Sequence, residues 1–121
     1  HVRSRRQRQM CIRDSPHVAA ALNNLAVLFE AQDRFGEARP LYERALAITE
    51  AALGKHHPSV ANRLVNMSES VVMAGDLTGA AAMLTRAVTI FQTKLGPDHP
   101  NTITAQDWFD HANALLAAQQ Q

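Results

Sequence analysis

The chain has 121 residues, enough for one domain, and 46% of them are apolar although only 5% are aromatic. Its interior must therefore come from Ala, Leu, Val and Ile, and an Ala-rich, Gly-poor composition favours helix. No window holds 18 consecutive apolar residues, which excludes a helical membrane span, and a net charge of +1 hides an uneven distribution.

Arg3, Arg5, Arg6, Arg8 and Arg13 crowd the first 15 residues, with Asp14 the one acid among them. The rest carries seven Lys or Arg against ten Asp or Glu, so the body of the chain is mildly acidic. Residues 1–14 have no apolar period and are set apart as a basic tail or a sequencing artefact. Their start is basic and polar where a secretory signal needs an apolar core. Cys11 stands alone, which rules out an internal disulfide framework and predicts a reducing, cytoplasmic setting.

From Ser15 the pattern turns helical. Ser15 suits an N-cap and Pro16 the first helical position, where a missing N–H costs nothing. Val18, Leu22, Leu25, Ala26 and Phe29 form one stripe, predicting a helix that ends near 31–33. A second stripe runs through Phe35, Ala38, Leu41, Tyr42, Ala45, Ile48 and Ala52 to Leu53-Gly54. Pro40 fits it only in a first turn or a loosened one. The next helix carries Val60, Leu64, Met67 and Val71, with Gly75 as its stop. Asp76 or Thr78 can cap the following one, which carries Leu77, Ala80, Leu84, Ala87, Phe91 and Leu95. A last helix over about 101–118 bears Ala105, Trp108, Phe109, Ala112, Leu115 and Leu116.

These segments repeat. Leu53-Gly54-Lys55-His56-His57-Pro58 returns as Leu95-Gly96-Pro97-Asp98-His99-Pro100, 42 residues later, and Pro16 precedes Pro58 by the same interval. Gly54 and Gly96 suit a left-handed residue past a helix end. Overlaying residues 16–57 on 58–99 aligns identical residues at Pro16, Val18, Ala19, Leu22, Asn24, Ala38, Arg44, Ala45, Ile48, Leu53, Gly54 and His57. Most of these are packing or punctuation positions. The predicted units are 15–56, 57–98 and a terminal helix 99–118, leaving 119–121 as a tail. Helices joined by such short loops must lie antiparallel, giving an all-α stack of about five helices. Asp110 and Asn113 replace apolar or small residues in the overlay, which predicts a wet outer face for the last helix.

Pro16-His17-Val18-Ala19, Leu22-Asn23-Asn24-Leu25-Ala26, the run from Glu37 to Ile48, and the closing Leu53-Gly54 and His57-Pro58 resemble tetratricopeptide repeats. The match is to the 42-residue form found in kinesin light chains. The resemblance implies a right-handed α-solenoid with the first helix of each pair on a concave face. It further implies that this face binds a peptide or protein, its asparagines holding an extended backbone. The implied positions are Ala20, Asn23, Asn24, Val27 and Glu30 in unit one. In unit two they are Asn62, Val65, Asn66, Glu69 and Val72, and in the last helix Thr104, Asp107 and His111. Glu30, Glu69 and Asp107 would line it negatively, favouring basic segments.

Catalysis is not expected: no nucleophile elbow, phosphate loop or His-Glu-x-x-His pattern occurs. No cofactor is expected, and no metal either, because His17, His56-His57 and His99 are spread over separate repeat junctions. The expected function is a protein- or peptide-binding scaffold module, part of a larger signalling or adaptor protein. Its alternatives are a structural or regulatory segment stacked on further repeats or on itself, and nucleic-acid binding through residues 1–14. No membrane and no specific nucleic acid is expected as a partner. Deleting residues 1–14 should leave the melting temperature within a few degrees of that of the full chain, since they carry no stripe to bury. A larger drop, measured by circular dichroism, would show that they pack on unit one.

Overall fold

The computed structural model describes residues 15–120. Residues 1–14, with the basic tail and Cys11, lie outside the described residues, as does Gln121. Five helices follow in order: α1 Pro16–Ala31, α2 Phe35–Leu53, α3 Pro58–Met73, α4 Leu77–Leu95 and α5 Pro100–Gln119. Each packs on the next, and α1 with α3 and α3 with α5 touch along one side. The result is an all-α solenoid of two helix hairpins and a fifth helix.

The punctuation follows the repeat. Ser15 Oγ accepts from the Val18 N–H at the start of α1. His57 and His99 do the same work for α3 and α5, their Nδ1 atoms accepting from the N–H groups of Ser59 and Asn101 at 3.0 and 3.1 Å. This bond requires the lone pair on Nδ1, so a His before each Pro serves as a helix cap. Asp76 caps α4 through the Gly79 N–H. Gly54 and Gly96 end their helices with φ of 95° and 90° but with extended ψ of 155° and 159°. That is not the left-handed helical conformation expected; it is a region open essentially to glycine alone. The left-handed role falls instead to Asp33 and Gly75, one repeat apart, at φ 60° and 87°. In both turns the next N–H reaches back to close the preceding helix, Arg34 to the Phe29 carbonyl and Asp76 to that of Val71.

Pro40 is the sixth residue of α2, beyond the first turn in which a proline is tolerated freely. It removes the bond that the Gly36 carbonyl would accept, and both residues are exposed, so water can serve that carbonyl.

The core is one cluster drawn from all five helices, including Ala26, Ala38, Tyr42, Met67, Val71, Ala80, Ala87, Phe91 and Ala105, with a satellite of Ala19, Ala45 and Ile48. The α1 stripe is only partly buried, and its Leu25 is 43% exposed. The reason lies in the register. Thr102, Ala105 and Ala112 are the buried residues of α5, whose main neighbour is α4, so they mark the face turned to the preceding hairpin. The α3 residues matching Thr102 and Ala112, Val60 and Ser70, are buried as well, as is Met67 on the same face. In α1 the same face holds Leu25 and Leu28, and no described helix covers it. At the other end Ile103 is exposed where its counterparts Ala19 and Ala61 are covered by their own hairpin partners.

Arg86, the second-unit copy of Arg44, bonds to the Lys55 carbonyl at 3.1 Å and pairs with Glu50 at 3.3 Å, linking α4 to the end of α2. Ala45 and Ala87 have no exposed surface. Ala→Leu at either should overpack the helix seams and cost about 1–3 kcal/mol in urea denaturation. Unchanged stability in both variants would contradict the packed-hairpin arrangement.

Candidate functional site

The side on which α1, α3 and α5 meet carries a cleft of about 330 Å³. Val27, Glu30 and Ala31 of α1, Tyr42 of α2, Val65, Asn66 and Glu69 of α3 and Trp108 of α5 line it. Next to it, Thr104, Asp107, Trp108 and His111 line a second hollow on α5. Trp108 is the shared wall, with His111 packed edge-on against its ring at 6.1 Å.

The repeat explains the lining. Asn24, Asn66 and Trp108 occupy one register position, and Val27, Glu69 and His111 the next, so successive odd-numbered helices present the same stripe. Residues three or four apart on a helix share a face, which sets Val65, Asn66 and Glu69 side by side on α3.

Of the residues expected to form the site, Val27, Glu30, Val65, Asn66 and Glu69 come together in the cleft, and Asp107 lies in the adjoining hollow. Asn24 and Asn62 are exposed and line neither. Asn23 is only 6% exposed, and its Oδ1 accepts from Asn66 Nδ2 at 3.2 Å. It thus bridges α1 to α3 across the seam between units, which ties Asn66 in place at the cleft. Tyr42 and Trp108 were not among the expected site residues. The signal for Tyr42 was chemical: a buried phenol needs an acceptor, and the antiparallel hairpin brings early α2 opposite late α1.

The electrostatics centre on two carboxyls. Tyr42 Oη donates to Glu30 Oε1. Glu30 Oε2 is buried and has no hydrogen-bond partner among the described residues. Burial first, then the charge and hydrogen bonding of Glu69, push Glu30 up to about 7, while Ser70 acts in the opposite sense. Neither Glu30 nor Glu69 has a salt-bridge partner among the described residues. With an acid beside it and no cation, Glu30 holds its proton to higher pH than an ordinary carboxyl. Such a pair can accept donors or a positive charge. Among the described residues no three His, Cys, Asp or Glu side chains gather as a metal site. Nor is any described helix long and apolar enough to cross a membrane.

Comparison with known proteins agrees with this architecture. Residues 17–93 match the tetratricopeptide repeat family model. Clustered mitochondria protein homologs are similar over 95 residues, 78% of this chain: 28% identity in Aspergillus clavatus and in Neosartorya fischeri, and 26% in Aspergillus oryzae. The aligned region is 7–8% of those relatives' length. With five helices among the described residues in consecutive hairpin packing and a family match over most of its length, the chain belongs to the tetratricopeptide repeat family, whose repeats generally mediate protein–protein interaction.

Proposed function

We propose that this chain is a binding module that holds an extended, basic protein segment against the α1–α3–α5 side, as a non-catalytic scaffold within a longer cytoplasmic protein. The observation carrying this reading is the cleft: about 330 Å³, walled by Val27, Val65, Tyr42 and Trp108, with two carboxyls and no basic residue in its lining. Apolar walls give a side chain somewhere to bury, and negative charge selects the sign of the segment. Asn66 offers an amide that can donate and accept toward a peptide backbone. That the aligned region is only 7–8% of the relatives' length supports a module reading.

A second reading rests on a separate observation. Leu25 and Leu28 lie exposed on the α1 face that corresponds to the buried face of α3, so this end supports stacking on another repeat. In that reading the chain serves as a link in a stack without its own ligand.

The two readings separate in a binding assay. Peptides of matched length, basic or acidic, are titrated while the emission of Trp108, the one tryptophan, is followed. Basic peptides should bind with roughly micromolar dissociation constants, because so short a stack buries little area. Val27→Lys, at an exposed position, should weaken them about tenfold at unchanged helicity, by placing like charge in the cleft. Tighter binding of the acidic set, or no peptide binding at all, would overturn the groove reading.

A further inference from the structure

Resting on the groove reading, we propose that Glu30 and Glu69, which line one cleft, together anchor one cationic side chain of the bound segment, lysine or arginine. Near neutral pH that cation displaces a proton from Glu30, which burial and the neighbouring Glu69 push up to about 7.

Three features of the geometry carry this. The carboxyls come from different units, Glu30 from α1 and Glu69 from α3, and both open on the same cleft. The hydroxyl of Ser70, a residue 1% exposed, forms no regular hydrogen bond, yet it lies near enough to Glu30 to favour the ionised form. A buried polar group left without a settled partner beside a buried carboxyl oxygen marks a site poised for another charge state. The same lining includes Trp108, and a cation gains from an indole face as well as from carboxylates.

The surrounding charges leave this role open. From α2 the group facing Glu30 is the Tyr42 phenol, already donating to it. From α3 the groups are Glu69 and Ser70. Arg63, the one basic residue of α3, lies seven positions before Ser70, about 10 Å along the axis, and forms no salt bridge among the described residues. Arg34, in the turn after α1, is held by Glu37 and stacks over Phe29 at 4.7 Å. From α5 come Trp108 and, beyond it, Asp107 and His111. No basic side chain among the described residues pairs with these two carboxyls, so a partner's ammonium or guanidinium can. The cation stabilises both carboxylates at once, so the proton leaves as it enters.

The sign is fixed. Below the range near 7 Glu30 holds its proton and the cation must displace it; above that range Glu30 is already ionised. If the cation binds only the ionised pair, affinity should rise about tenfold between pH 6 and pH 8. Lysine stays charged throughout that interval. The same shift makes the fold lose stability as pH rises from the unfolded carboxylate range through 7, because the unfolded chain gives up this proton more readily. Glu30→Gln should therefore raise the melting temperature more at pH 8 than at pH 5.

The test titrates hexalysine into wild type, Glu30→Gln, Glu69→Gln and His111→Gln at pH 6, 7 and 8. Calorimetry in two buffers of different ionisation enthalpy counts the protons released. Wild type and His111→Gln should tighten about tenfold with pH and release close to one proton at pH 6. Glu30→Gln should bind without that dependence, and Glu69→Gln, which leaves the burial of Glu30 in place, should bind more weakly and with a smaller dependence. Circular dichroism confirms the fold of each variant, and the exposed Glu69 serves should Glu30→Gln fail to fold. Loss of the pH dependence in His111→Gln would assign it to the imidazole and overturn the proposal. Equal hexalysine affinity at all three pH values would overturn the proton exchange and leave the groove reading intact. Absence of hexalysine binding where other peptides bind would overturn the cationic anchor alone.

Discussion

Ala26, Ala38, Ser68 and Ala80 have no exposed surface, and the stack depends on their being small. Two helices approach within about 8 Å only when the side chains at the crossing are little more than a methyl group. Ser68 keeps to this rule by donating its hydroxyl to the Val65 carbonyl of its own helix at 2.6 Å, so it asks nothing of α4. Closeness at these seams leaves the larger side chains to fill the core around them. Tyr42, Met67 and Phe91 are all buried there, which is how a chain with so few aromatics acquires a core that draws on every described helix.

The same closeness creates the cleft. Once α1 and α2 are drawn together, the Tyr42 phenol reaches under α1 to Glu30, and the next hairpin brings Glu69 up on the other side. Between units the contact is polar where it meets the cleft, through Asn23 and Asn66, and apolar elsewhere. A polar seam beside a ligand-sized space is tolerated because each amide finds a partner in the other. The carboxyl pair is an exception, lacking a cation among the described residues, and so is Arg63, whose buried Nε finds no partner among them.

Much of the fold was legible in the chain itself. Helix ends follow from residues whose backbone geometry is restricted: proline at a first helical position, glycine past a last one, a capping side chain between them. These are local effects, so they can be read without knowing what packs where. The spacing of Ala38, Ala45 and their copies 42 residues later marks which face is buried for the same reason. Even so, local signals overreached at Leu25, which matches the apolar stripe but stands exposed because burial needs a neighbour, and no described helix supplies one. They also misjudged Gly54 and Gly96, where the positive φ was legible and the extended ψ was not.

What the sequence by itself determined is the repeat: its period, its five helices and their antiparallel order, since propensity, capping and side-chain spacing act within a few residues. Tertiary structure decided the site. Asn23 and Asn24 read alike along the chain, yet one is buried against Asn66 and the other is exposed, because a rotation of 100° about the helix axis separates neighbours. Glu30 reads as one acid among eleven. Its carboxyl is pushed up to about 7 only when packing buries it and brings Glu69, from the next unit, beside it. Desolvation and like-charge repulsion depend on distances through space, and packing alone sets those.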